Sequence, residues 1–329
     1  MMVGRIARVA RLACLACLAW PFHAFGFDLE GHRGTRGLAP ENTLAAFRRA
    51  MAIGVTTLET DFAVTRDNVL VLSHEPFLNP ALTRDASGKW LPGQGPYIHS
   101  LDLAEVRRFD VGRLNPADTY AKSWPEQVPS DGERLPTFDE LVALVRTDGP
   151  TVRLNVETKI TPTSGATTPS PEAFARLVLD ALDRTGMAER ATVQSFDWRT
   201  LVEVKRLRPQ QATSCLTIES PTMNTDAVDS SGASPWHAGL RAAEHASIPR
   251  LVKAASCETW SMFWRNLTPG LIAEAHALGL KVLPWTVNDP AEMARLIDLG
   301  IDGLITDYPD RLRKVLAEKG IDLPPPGRQ

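Results

Sequence analysis

Five residues suggest hydrolytic chemistry: His32, His74, Glu59, Asp61 and Glu157. In an extended chain, residues i and i+2 face the same side. In Leu58-Glu59-Thr60-Asp61-Phe62 the two carboxylates therefore share one face, while Leu58 and Phe62 share the other. In Leu154-Asn155-Val156-Glu157-Thr158-Lys159 the polar set Asn155, Glu157 and Lys159 shares a face. Carboxylates turned toward a protein interior need a cation, a salt bridge or a wet cleft, because unpaired buried charge is costly. Three carboxylates supply hard oxygen ligands without thiolate or imidazole, a set suited to one divalent cation, Ca²⁺ or Mg²⁺, rather than zinc. An internal ion-pair network through Lys159 and Arg33 satisfies the same spacing, and spacing alone leaves both readings open. His32 and His74 each end a predicted strand, and two imidazoles titrating near neutral pH can divide proton acceptance and donation. Arg33 and Lys159 add the positive charge that holds a phosphate. Gly31 and Gly34 let the backbone turn beside it. His99, His237, His245 and His276 lack this context and read as structural or surface residues.

The elements that would position these groups alternate. The pattern predicts a strand at 27–30, a helix opened by Pro40-Glu41-Asn42-Thr43 and ended by Gly54, a strand at 55–64, a turn at Asp67-Asn68 and a strand at 69–73. Residues 75–135, rich in Pro, Gly and Asn, read as an insertion over one end of the fold. Helices follow at 136–145, 171–182, 198–207, 269–278 and 290–299. Strands follow at 152–158, 191–195, 212–218, 281–286 and 303–306, with a weak one within 250–256. Residues 219–247 read as a long loop, the tail from Leu323 as frayed, and Trp260, Phe263 and Trp264 as core packing. Strand–helix alternation predicts a parallel sheet covered by helices. A single α/β barrel of about 250 residues plus insertions fits the 329-residue length as well as any two-domain split. Neither G-x-G-x-x-G nor G-x-x-x-x-G-K-[ST] is present, so a nucleotide-binding fold has no support.

Composition is that of an ordinary globular chain, 43% hydrophobic and 23% charged. Residues 1–26 read as a signal peptide: Arg5, Arg8 and Arg11, an apolar run from Leu12 to Phe22 too short to span a bilayer, then small residues at Ala24 and Gly26. An uncleaved N-terminal anchor is the alternative. Lipid attachment at Cys14 or Cys17 is disfavoured because neither has Leu three residues before it. Cleavage makes the chain exported, periplasmic or secreted, with residues 27–329 as one domain. It removes three Arg and no acid, moving the net charge from −3 to −6. That balance disfavours nucleic acid or anionic membrane as a partner. No obligate protein partner is evident. Cys215 and Cys257 could form a disulfide or stay as separate buried thiols.

Taken together, Gly31-His32-Arg33-Gly34, Pro40-Glu41-Asn42-Thr43, Glu59-Thr60-Asp61, Ser73-His74, Glu157-Thr158-Lys159, Trp285-Thr286-Val287-Asn288 and Ile305-Thr306-Asp307 resemble the glycerophosphodiester phosphodiesterase family, in the family's order. The resemblance extends from about residue 28 to 318. It implies a (β/α)₈ TIM barrel with the insertion over its C-terminal face. It also implies metal-dependent hydrolysis of glycerophosphodiesters such as glycerophosphocholine to glycerol 3-phosphate and an alcohol. It assigns the metal to Glu59, Asp61 and Glu157, acid–base catalysis to His32 and His74, phosphate contacts to Arg33 and Lys159, and a pocket wall to Trp285. The loop at 219–247 carries no family motif. Two rivals are a related barrel phospholipase acting on intact or lyso phospholipid and a non-catalytic exported protein that binds a phosphorylated ligand.

Overall fold

The computed structural model describes residues 26–323, 325 and 326, so the signal-peptide expectation falls almost wholly outside the described residues. Eight parallel strands form the barrel: β1 (Asp28–Gly31), β2 (Thr57–Val64), β4 (Arg153–Thr158), β5 (Ala191–Ser195), β6 (Thr213–Thr217), β7 (Thr259–Met262), β8 (Lys281–Val282) and β9 (Gly303–Thr306). Their order is β8-β7-β6-β5-β4-β2-β1-β9. Single backbone bonds complete the circle between β8 and β9: Asp302 N donates to Val282 O at 3.0 Å, and Ile305 N to Pro284 O at 3.1 Å. Helices α1 (Leu44–Ile53), α3 (Phe138–Asp148), α4 (Pro171–Arg184), α5 (Trp198–Leu207), α6 (Ile248–Ala254), α7 (Pro269–Ala277), α8 (Pro290–Asp298) and α9 (Pro309–Glu318) cover the outside. Leu58, Phe62, Leu154, Val156 and Val193 face them in the main apolar core.

Local chemistry sets the helix ends. Thr43 caps α1 by accepting from Ala46 N, and Gly54 closes it in the left-handed conformation at φ 95°. Thr137 and Glu140 form a reciprocal capping box on α3. Among the described residues no helix is long and apolar enough to cross a membrane.

Three expectations need correction. The weak strand within 250–256 is helix α6, capped by Ser247, whose side chain accepts from Arg250 N, with Pro249 in its first turn. The strand of that region is β7, further along the chain. A final helix, α9, follows β9 where the sequence reading placed no element. The strand before His74, β3 (Leu70–Leu72), is not a barrel strand: it runs antiparallel to β2, with Phe62 paired to Leu72 and Val64 to Leu70. β2 overshoots the barrel mouth, Asn68 turns the chain at φ 60°, and β3 returns it, so that Ser73 N donates to Asp61 O at 3.0 Å.

The residues after β3 form the insertion, which includes the short helix α2 (Leu103–Val106). It has its own small apolar cluster of Leu78, Ile98, Val106, Val111 and Leu135, packed on Ala63 and Val71 of the hairpin. It reaches the loop after β1 through Val128 N to Leu38 O at 3.0 Å and Gln127 Nε2 to Arg36 O at 2.8 Å. On the opposite side of the barrel, Cys215 and Cys257 are joined as a disulfide.

Candidate active site at the barrel mouth

Register brings the carboxylates together. Asp61 on β2 pairs with Glu157 on β4, and Glu59 sits one inward position below Asp61. Glu59, Asp61 and Glu157, all buried, each offer an oxygen within 4.8 Å of the others. Glu59 Oε2 accepts from Arg33 N at 2.8 Å, and its Oε1 from Gln194 Nε2 at 3.0 Å. Asp61 Oδ2 accepts from Asn42 Nδ2 at 2.9 Å, while its buried Oδ1 has no hydrogen-bond partner among the described residues. Lys159 Nζ lies 2.7 Å from Glu157 Oε1 and 3.7 Å from Asp61 Oδ1.

Burial pushes the Glu59 carboxyl well above the usual range, and the Asp61 and Glu157 charges add to this. Burial pushes Glu157 up as well, against the pull of Lys159. Burial also opposes ionisation of Asp61, but Arg33, His74, Lys159 and Asn42 overcome it and hold this carboxyl well below the usual range. Three converging hard-oxygen donors, one with an orphaned lone pair and two short of compensating charge, fit a divalent cation. The ion-pair network is also real, since Arg33 and Lys159 both touch the cluster, yet it leaves Asp61 Oδ1 unsatisfied.

His32 follows β1 on the barrel wall. Its Nδ1 lies 2.7 Å from Asp307 Oδ1, and its Nε2 is 3.9 Å from Glu59 Oε2. An ionised carboxylate only accepts, so Nδ1 carries the proton and the neutral ring turns a bare Nε2 the other way. Burial lowers the His32 pKa to about 4, with Arg36 acting in the same direction and Asp307 against it. His74 is more open, its side chain 32% exposed, with Nδ1 2.9 Å from Glu75 Oε1. The Glu75 carboxyl is brought down to about 2: burial opposes this, and His74 and Arg33 outweigh it.

Glycine makes the turn at His32 possible. A Cβ on Gly31 would lie 2.1 Å from Gly34 O, and one on Gly34, at φ +84°, would meet the Ala46 backbone at 2.8 Å. Arg33, at φ 50°, is buried with Nη1 2.5 Å from Glu41 Oε1 and Nε 3.3 Å from Asp61 Oδ2. Tyr120 of the insertion also donates to Glu41. A cavity of about 170 Å³ is lined by His32, Arg33, Glu59, His74, Glu157 and Trp285, among others. Trp285 packs edge-on against Phe196, ring centroids 5.3 Å apart, and leans on Phe263 at 5.9 Å. The aromatic trio therefore splits: Trp260 is core, whereas Phe263 backs the wall of this cavity.

The model of the glycerophosphoryl diester phosphodiesterase family matches residues 32–311, nearly all of this barrel. The chain belongs to that family. A glycerophosphodiester phosphodiesterase of Caldanaerobacter subterraneus subsp. tengcongensis is 26% identical over 289 residues, covering 88% of this chain and 97% of its own length. A solved structure from Silicibacter pomeroyi DSS-3 that bears the family name is 34% identical, with a TM-score of 0.80 over 91% of this chain and 96% of its own. An Oleispira antarctica phosphodiesterase, solved in complex with the product sn-glycerol-3-phosphate, shares the fold at 22% identity and a TM-score of 0.64, over 88% of this chain and 96% of its own.

Every site residue expected from the sequence of this phosphodiesterase lies at one barrel mouth: His32, Arg33, Glu59, Asp61, His74, Glu157, Lys159 and Trp285. The residues that hold them were given no role, although Asp307 and Glu41 lie within the quoted motifs. Asp307 follows β9 and takes His32 Nδ1. Arg36 grips Asp307 through Nε at 2.8 Å and Nη2 at 3.1 Å, and stacks 4.3 Å over the Trp124 ring of the insertion. Gln194, Glu41 and Glu75 complete the set. A carboxylate directly after the last strand was the available signal for Asp307. Nothing in the spacing distinguished Arg36 from a surface arginine.

Proposed function

We propose that this chain hydrolyses glycerophosphodiesters to glycerol 3-phosphate and an alcohol, using one divalent cation, Ca²⁺ or Mg²⁺, and two histidines. The observation that carries the reading is a cluster of three buried carboxylates, two of which line the same cavity as His32 and His74, beside two cationic side chains. Glu59, Asp61 and Glu157 would hold the cation, which when bound supplies Lewis-acid polarisation of the phosphodiester oxygens. Arg33 and Lys159 orient the phosphate and offset the negative charge that grows on it. His32, its Nδ1 proton held by Asp307, accepts the proton of the attacking hydroxyl at Nε2. His74, held at Nδ1 by Glu75, donates a proton from Nε2 to the departing alkoxide. The attacking oxygen belongs to water or to the neighbouring glycerol hydroxyl. The second route passes through a cyclic phosphate whose hydrolysis reverses the two histidine roles. Trp285 excludes water from the side of the cavity it walls.

Incubation with glycerophosphocholine and related diesters tests this directly. Glycerol 3-phosphate should appear, chelation should stop its release, and added Ca²⁺ or Mg²⁺ should restore it. Phosphorus NMR during turnover reports any cyclic phosphate. No glycerol 3-phosphate from any of these diesters with either ion would overturn the proposal. Residues 1–26 support export of the mature chain, which N-terminal sequencing of the processed protein tests.

A further inference from the structure

The barrel interior beneath the carboxylates is polar where branched apolar side chains ordinarily fill it. Glu30, Asn155 and Gln194 are each 3% exposed or less. Strand alternation turns all three inward, and register stacks them: Asn155 pairs across from Glu59 on one side and Thr192 on the other, and Gln194 across from Glu157. They form one line of hydrogen bonds. Asn155 Nδ2 donates to Glu30 Oε2 at 2.8 Å and to Gln194 Oε1 at 3.1 Å, and Gln194 Nε2 donates to Glu59 Oε1 at 3.0 Å.

The ends of this line set its direction. A Glu59 carboxylate kept ionised by a bound cation can only accept, so Gln194 must turn Nε2 toward it and Oε1 toward Asn155. Asn155 must then give one N–H to Gln194, which leaves its second for Glu30. No amide can flip without losing a bond, so each fixes the next. Beneath the line lies a polar cavity of about 290 Å³ on the barrel floor, lined by Asp28, Glu30, Asn155, Ser214 and Asp302 among others. Asn155 Oδ1 and Ser214 Oγ, both buried, have no hydrogen-bond partner among the described residues.

We infer that Gln194, Asn155 and Glu30 are positioning residues that lock the Glu59 carboxylate in the orientation its metal-ligand role requires. With the backbone Arg33 N holding Oε2 and the Gln194 side-chain amide holding Oε1, both oxygens of Glu59 are fixed rather than left to rotate. This inference rests on the triad being a metal site. Groups bonded to a ligating carboxylate orient it, and their loss characteristically weakens metal binding.

Calorimetric titration of Ca²⁺ and Mg²⁺ into the chelator-treated chain tests the inference, alongside melting temperatures taken without metal. Gln194→Met keeps the shape and removes the donor, and should weaken metal binding about 10- to 100-fold. Asn155→Leu should weaken it less, and Glu30→Leu least. Gln194→Asn, which keeps the amide but withdraws it by one methylene, is the gentler variant if Gln194→Met does not fold. Turnover lost at low metal should return with excess metal. Wild-type metal affinity in all folded variants, with only the melting temperature changed, would overturn the positioning role alone. A wild-type chain that binds neither ion would overturn the reading of the triad and this inference with it.

Discussion

The two halves of this barrel repeat one strand–helix unit but fill its interior differently. The half built by β1, β2, β4 and β5 turns Glu30, Glu59, Asp61, Asn155, Glu157 and Gln194 inward, with His32 just past β1. The half built by β6 to β9 turns in Ser214, Leu216, Thr259, Ser261, Leu283 and Ile305, and carries the Cys215–Cys257 disulfide. Charge and chemistry are concentrated where the insertion reaches over the mouth, and covalent reinforcement lies on the opposite side. Substitutions in the first half should remove activity and leave folding nearly intact, and substitutions in the second should do the reverse.

The largest expected effect is in the charged half. His32→Ala and His74→Ala should each lower kcat about 10²- to 10⁴-fold, with unfolding curves close to wild type. Full turnover in either variant would break the two-histidine scheme. The opposite half should answer through stability. Cys215→Ala/Cys257→Ala opens a closure spanning a 42-residue sequence separation. Chain-entropy reasoning puts the loss at about 4 kcal/mol, measurable by urea unfolding, with kcat unchanged while the protein stays folded. A fall in kcat without a fall in stability would reverse the comparison. Trp285→Ala sits between the two, because it walls the cavity from the uncharged half. Its loss should raise KM about tenfold, equivalent to about 1.4 kcal/mol of binding, with a smaller change in kcat.

How far these halves could be read from sequence depended on period and length. The i, i+2 spacing placed Glu59 with Asp61 and Asn155 with Glu157 correctly, because a strand buried on both faces still alternates strictly. The motif order then supplied the fold. Short segments were harder. Ile248–Ala254 is seven residues, too short for helical period to separate it from a strand, and Ser247 and Pro249 were its better signals. The antiparallel return of β3 hung on one left-handed residue, Asn68, so His74 reaches the mouth from above rather than from a barrel strand. The network beneath the site was illegible for another reason. Gln194, Asp307 and Arg36 act through partners far away in sequence, Glu59, His32 and Trp124, which only closure of the barrel and docking of the insertion bring near.

Asp307 stands at the seam between the halves, and its titration is the finest test of the comparison. Its carboxylate accepts from His32 Nδ1, from Arg36 twice and from Asn288 Nδ2 at 2.7 Å. Burial opposes its charge, but Arg36 and His32 outweigh burial and hold the carboxyl well below the usual range. A carboxyl whose folded pKa lies below its unfolded one contributes stability that is fully present above the unfolded value, near 3.9, and is lost as pH falls toward the folded one. Asp307→Asn removes that contribution. The stability gap between wild type and variant, measured by urea unfolding, should therefore hold steady from pH 7 to about 5 and shrink below about 4. A gap that stays constant down to pH 3 would mean that the seam is held by hydrogen-bond geometry and not by the Asp307 charge. Asp307 would then belong with the neutral half of the barrel.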